Sequence, residues 1–253
     1  MHSRMLALAA ASGAALLAAA LPATASPATH DVVTPGAGEP VEGTVGAAEL
    51  LARVKGCTQI SAGTYRKDAG SAANVPVCGM NGAVFWKADM DIACDGQVTG
   101  KCNRKSDPWF LPDTAFHQSS GKPLNSEKLP YIVVPSPSGI WRYPASGIRG
   151  GGVVAVVHDG KVRYGVVGDT GPSEIIGEAS YAMAESLGVN PHPVSGGVAS
   201  DVTYILFKNS RVSPIESHSA AVTLGDSLAR QFLRENEPTS ADGGAHDGVR
   251  QDR

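Results

Sequence analysis

Basic clusters are missing from this sequence of 253 residues: Lys and Arg nowhere gather with aromatic residues between them, and 21 basic side chains face 24 acidic ones. A nucleic-acid surface requires the opposite balance, so no nucleic-acid partner is expected. The formal net charge of -3 suits a cationic partner instead. No two of the four cysteines stand in Cys-x-x-Cys spacing, which removes the common zinc frameworks. The seven histidines are scattered, and His192 and His218 fall in stretches without ligand spacing. A Gly-x-Ser-x-Gly elbow is absent, so a serine-hydrolase site of that type is not indicated. After residue 21 no apolar run is long enough to cross a bilayer. No metal, cofactor or membrane is expected to take part in what the protein does.

What the sequence does have begins at its N-terminus. Arg4 gives a basic start, residues 6–21 are rich in Ala, Leu and Gly, and Ala23-Thr24-Ala25 offers small side chains for cleavage. Residues 1–25 therefore read as a signal peptide cleaved near Ala25, and the mature protein is expected to be secreted to the extracellular space. That destination is oxidising, so disulfides are the expected state of Cys57, Cys78, Cys94 and Cys102. Three connectivities are possible. Cys94–Cys102, closing a short polar loop, and Cys57–Cys78, tying the first helix to the next segment, are favoured. Residues 26–45 are rich in Pro, Gly, Thr and Glu and read as a disordered linker, and residues 236–253 read as a disordered tail. Residues 46–235 remain as one domain, expected to act as a monomer.

Within that domain, Leu50, Leu51 and Val54 recur at helical spacing over residues 47–55, and Gly56 ends the pattern. Residues 83–93 alternate: Val84, Trp86, Ala88, Met90 and Ile92 point one way, with Phe85, Lys87, Asp89, Asp91 and Ala93 opposite. That is the period of a half-buried strand. Residues 98–130 are polar, broken by four prolines, and read as a long loop region; residues 131–134 are a short apolar strand. Residues 153–157 and 161–167 are apolar runs joined by His158-Asp159-Gly160, a hairpin signal. A helix is expected over residues 178–187, stopped by Gly188, then a strand at 202–207 and a closing helix at 220–233. Strands outnumber helices and do not alternate with them. The expected architecture is therefore mainly β with flanking helices (α+β): a small β-barrel.

Two acidic constellations carry the chemistry. Asp169 follows an apolar run and Glu178 comes nine residues later, on either side of a Gly/Pro turn. Hydrolysis of a glycosidic bond needs one protonated and one ionised carboxyl group, flanking the bond. Asp169, partly desolvated at the end of a strand, suits the acid. Glu178, at the expected helix start, is favoured as a carboxylate by the helix dipole and suits the base. The plainer readings are a turn residue for Asp169 and ordinary helix-start decoration for Glu178. The second constellation is Asp89, Asp91 and Asp95. Along a continuing strand they share one face, about 6.5–7 Å between neighbours, a row suited to binding a cationic sugar polymer. A calcium loop starting at Asp89 is disfavoured, because its fifth position is Ala93 and its sixth is not Gly. Trp109, Trp141, Tyr143 and Tyr181 could stack on sugar faces, while Trp86 belongs to the core.

Two stretches carry a family resemblance. They are Asn81-Gly82-Ala83-Val84-Phe85-Trp86-Lys87-Ala88-Asp89-Met90-Asp91-Ile92 and Tyr164-Gly165-Val166-Val167-Gly168-Asp169-Thr170-Gly171-Pro172, the latter continuing to Gly177-Glu178-Ala179-Ser180. In them the chain closely resembles the fungal-type endo-chitosanases of glycoside hydrolase family 75, from about residue 47 to 233. The resemblance implies endo-hydrolysis of β-1,4 linkages in chitosan with inversion, and its catalytic Asp and Glu fall on Asp169 and Glu178. Ala93 departs from the family pattern, where a further Asp is common. A shorter similarity, Asp169-Thr170-Gly171, is to double-psi β-barrels of the lytic transglycosylase type; it implies a double-psi barrel with Asp169 as the acid. Two rivals follow: a peptidoglycan lytic transglycosylase-like barrel, and a non-catalytic cell-wall polysaccharide-binding protein.

Overall fold

Alternation at residues 83–93 predicts a strand buried on one side. The computed structural model, which describes residues 42–238, shows a strand over the same residues that is buried on both. The expected signal peptide with its cleavage point, the expected linker through residue 41 and the expected tail from residue 239 lie outside the described residues. The strand is β3 (Ala83–Ala93), and its second face, apart from exposed Lys87, is covered by helices and loops packed on the sheet. Strands β1 (Thr58–Gln59) and β2 (Cys78–Met80) lead into it. β4 (Tyr131–Pro135), β5 (Val153–His158), β6 (Lys161–Gly171), β7 (Glu178–Ser180) and β8 (Val198–Phe207) follow. The order is β1-β2-β3-β7-β4-β6-β5-β8, and β8 pairs back onto β3. The last six strands are therefore a closed barrel, which leaves none of them with a free edge.

The antiparallel β3–β8 seam runs from Ala83 opposite Phe207 to Met90 opposite Val198, with a bulge between Ala88 and Met90. Two pairs are parallel, β3 with β7 and β4 with β6. Parallel neighbours require a connection that crosses over rather than a hairpin, and two such pairs in a six-stranded barrel fit the double-psi expectation. The expected hairpin forms. His158 pairs with Lys161 across Asp159 (φ 46°) and Gly160 (φ 72°), the two left-handed residues of a type I′ turn. Successive side chains of the barrel wall feed separate cores. Val84, Trp86, Val154, Tyr204 and Leu206 pack with Tyr65, Trp141 and Met183. Phe85, Ala155, Tyr164, Ile205 and Phe207 pack instead with Leu50, Val54, Ala229 and Phe232.

The helices are α1 (Ala47–Arg53), α2 (Tyr181–Leu187) and α3 (His218–Glu235). Both favoured disulfides are present, Cys57–Cys78 and Cys94–Cys102. Residues 42–45, assigned to the linker by composition, are packed against the domain. Glu42 accepts the Tyr164 N–H, Thr44 donates to Asp226, and Val45 is buried.

Two departures matter for the site. The helix expected from residue 178 starts at Tyr181, capped by Ser180, whose Oγ accepts the Met183 N–H. Residues 178–180 are strand β7, held between β3 (Asp91 opposite Glu178) and β4 (Val133 opposite Glu178). Pairing on both sides satisfies their backbone groups better than a first helical turn could, which leaves its N–H groups open. Asp169, expected just after the apolar run 161–167, lies within β6, which continues to Gly171, opposite Val133.

Candidate active site

Glu178 on β7 and Asp169 on β6 both face a cleft of about 790 Å³, with Asp91 and Asp95 from the end of β3 beside them. Asp68 and Asp107 come in from loops, and no Lys, Arg or His lines the cleft among the described residues. The row of three carboxylates expected from β3 is thus divided. Asp91 and Asp95 face the cleft, whereas Asp89 lies beneath it, 5% exposed. Its burial follows from the two-sided strand: the face opposite Trp86 and Met90 is covered as well. Asp95 lies just past the strand. Its Oδ1 accepts the Leu111 N–H at 2.7 Å, and its backbone carbonyl accepts the Tyr131 hydroxyl at 3.1 Å.

The two central carboxyl groups sit in unlike surroundings. Asp169 Oδ1 accepts two backbone N–H groups at 2.7 Å each, from Ala115 and Thr170. Burial raises its pKa, and these two donors hold the rise down by favouring the anion. No hydrogen bond among the described residues reaches the Glu178 carboxyl. Burial, followed by the charges of Asp91, Asp95, Asp169 and Asp89, pushes it up to about 7. The helix-dipole stabilisation expected for Glu178 therefore does not operate, because the residue is on a strand with the helix beginning beyond it. Burial also moves Asp95 up to about 6 and Asp89 to about 7.

Of the aromatic residues considered for stacking, Trp109 stands at the cleft, 76% exposed, next to exposed Leu111 and Val194. Its backbone N–H donates to Asp107 Oδ1 at 2.9 Å, which fixes this part of the rim. Trp141 and Tyr181 are buried, Tyr143 is half-buried against the core, and Trp86 stacks on Tyr204 with ring centroids 5.4 Å apart. Sequence reasoning missed Asp68, Asp107 and the Ala115 N–H. All three arrive on loops without periodicity, and a loop residue's partner is set by tertiary approach.

Two glycines shape the floor. A Cβ on Gly171 would lie 2.6 Å from Glu178 Oε2, and one on Gly177 (φ +120°) would lie 2.2 Å from Asp89 Oδ1. The backbone approaches both carboxylates more closely than any side chain would permit.

Residues 90–235 match the family model described as fungal chitosanase of glycosyl hydrolase group 75. An endo-chitosanase of Aspergillus fumigatus is 31% identical over 166 residues, which are 60% of this chain and 68% of that protein. Endo-chitosanase C of Aspergillus oryzae is 35% identical over 139 residues, 51% of this chain and 33% of that protein. Among solved structures, the Streptomyces papain inhibitor matches at 17% identity with a TM-score of 0.31, covering 53% of this chain and 100% of its own. With its central match spanning more than half of its length, the chain belongs to the fungal chitosanase family of glycosyl hydrolase group 75.

Proposed function

We propose that the protein is a secreted endo-chitosanase that hydrolyses β-1,4 bonds of chitosan with inversion, using Asp169 and Glu178. The observation that carries this reading is the pair itself: two carboxyl groups, both raised by burial but only Asp169 held back by hydrogen-bond donors, facing one cleft without a basic side chain. Glu178 is the general acid. It has no donor to stabilise its anion, it is surrounded by negative charge, and it keeps its proton up to about pH 7. Asp169, ionised with the help of two N–H donors, is the general base that activates water on the opposite face of the sugar. These roles are the reverse of those expected from the sequence, where Glu178 was placed at a helix start. Inversion calls for a separation of about 6.5–9.5 Å between the two groups, room for that water.

The acidic cleft supplies the match to substrate. Asp91 and Asp95 hold glucosamine ammonium groups, and buried Asp89 adds to the field behind them. A cationic polymer bound this way is held less tightly as salt rises. Trp109 offers a face on which a sugar ring stacks. The two disulfides support export to an oxidising compartment.

The deciding experiment incubates the protein with chitosan, chitin, cellulose and peptidoglycan and follows the products by NMR. Cleavage of chitosan in mid-chain with α-anomeric initial products is expected. Intact chitosan, or β-anomeric initial products, would overturn the reading. Trp109→Ala should raise KM about 2- to 10-fold with little change in kcat, the pattern of lost uniform binding by one aromatic contact. In the free enzyme, carbon-13 NMR of the labelled carboxyl should show Glu178 titrating near 7 and Asp169 below it. The sign follows directly: the acid must be protonated, so kcat/KM falls as pH rises through Glu178's value. Titration of Glu178 below Asp169 would exchange the two roles.

A further inference from the structure

Asp68 reaches the cleft on a loop that is tied to the segment joining the two catalytic strands. Arg66 N–H donates to Glu174 O at 2.9 Å, and Ile176 N–H donates to Arg66 O at 3.0 Å. One residue further along that segment, Gly177 O accepts the Asp91 N–H at 2.8 Å. The loop, residues 174–177 and strand β3 therefore meet at one place. There, one carboxylate oxygen from each of Asp68, Asp89 and Asp91 lies within 4.8 Å of the other two. Oxygens that share a calcium ion at 2.3–2.6 Å stand no farther apart than about 5 Å, so this spacing fits one ion among them.

A cluster of acids alone would say little, because exposed carboxylates gather for many reasons. Asp89 is the second observation. It is 95% buried by its 5% exposure, and its Oδ1 has no hydrogen-bond partner among the described residues. A buried carboxylate oxygen left unpaired costs free energy, and nearby acids raise that cost. The neighbouring cation does not fill the place: Lys67 Nζ donates to Ala199 O at 2.7 Å. Gly177 lies with its backbone against Asp89 Oδ1, where a Cβ would be 2.2 Å away. A bare ion can reach a carboxylate covered in this way, whereas an ammonium group borne on a sugar ring would have to bring the ring with it.

We propose that Asp68, Asp89 and Asp91 bind a hard divalent cation, calcium, which clamps the Asp68 loop and residues 174–177 to β3 beside the cleft. The ligand set is all oxygen, which suits calcium and disfavours softer metals such as zinc. Water supplies the remaining positions of a six- to eight-coordinate ion. With calcium bound, Asp91 serves the ion in place of a glucosamine ammonium group, and Asp95 and Asp107 carry the charge that faces the substrate.

Calcium titration in the absence of any sugar tests the site, so its failure would leave the chitosanase reading untouched. The full chain, stripped with EDTA and dialysed, is titrated with calcium chloride by calorimetry, and its thermal midpoint is followed with calcium and with EDTA. One saturable site per chain is expected, tighter than the ~10⁻³ M limit of extracellular calcium modules, with a midpoint raised by calcium. Asp68 is exposed, so Asp68→Asn should fold normally, as circular dichroism would show, and should bind calcium at least about tenfold more weakly. Asp159→Asn, in the distant hairpin turn, should bind as the unaltered chain does. Absence of saturable binding at millimolar calcium, magnesium or manganese would overturn the proposal, as would undiminished affinity in Asp68→Asn. Competition between glucosamine hydrochloride and calcium for the site would overturn it too, by assigning the cluster to substrate amines.

Discussion

Replacing Glu178 with Gln, or Asp169 with Asn, is expected to slow chitosan cleavage by roughly 10²–10⁴-fold each, the range that positioned acids and bases contribute. Both replacements are nearly isosteric, and each removes a negative charge from a cleft already crowded with carboxylates. The fold should therefore be kept, with circular dichroism unchanged and the thermal midpoint not lowered. The losses should differ in kind. A substrate with a good aryl leaving group needs little protonation, so it should recover much of its rate in Glu178→Gln and none in Asp169→Asn. Azide, which can stand in for the activated water, should speed Asp169→Ala and leave Glu178→Ala unaffected. This pattern also separates the rivals. A one-acid transglycosylase centred on Asp169 would tolerate Glu178→Gln, and a binding protein would bind chitosan without shortening it in any variant. Full activity in Glu178→Gln would sink the two-carboxylate mechanism.

How far the sequence reached depended on where the information lay. Strand β3 was legible to the residue because an eleven-residue alternation is a local signal. The turn at Asp159-Gly160 was legible because only residues tolerant of positive φ make it. The pair Asp169 and Glu178 was legible as a pair, through its spacing and the resemblance. Their environments were not. Glu178 sits in a three-residue strand that exists because β3 and β4 pair with it from either side, and nothing within residues 178–187 records those partners. The helical signal ending at Gly188 was real, but it belongs to a helix starting three residues later. The helix-dipole argument for an ionised Glu178 fell with that boundary. Asp89 shows the same limit in another form. Alternation assigns faces but cannot say that both will be covered, which depends on the helices and loops that pack on the barrel.

Gly171→Ala should lower kcat about a hundredfold while leaving the fold intact, although it adds a single methyl group. Gly171 ends β6, two residues after Asp169, and its α-carbon faces the acid. The added Cβ would lie 2.6 Å from Glu178 Oε2, closer than such contacts occur, and 3.1 Å from Val133 Cγ1. What must give way is the far end of a flexible side chain, because Val133 belongs to the paired strand β4. The carboxyl of Glu178 can swing aside at little cost in stability, and Gly171 has no positive φ to protect. Swinging aside moves the proton donor by about an ångström from the glycosidic oxygen, and a misplacement of that size costs on the order of 10²-fold in rate. Substrate affinity, carried by other carboxylates and Trp109, should change little, so the loss falls on kcat rather than KM. Gly171→Ala also leaves every titratable group in place, which distinguishes it from the charge-removing variants. If Glu178 instead contributed only to the field that attracts the polymer, a shift of one ångström would scarcely alter it, and Gly171→Ala would be nearly as fast as the unaltered enzyme. Comparing its kcat with that of Glu178→Gln therefore tests whether Glu178 acts by position or merely by charge.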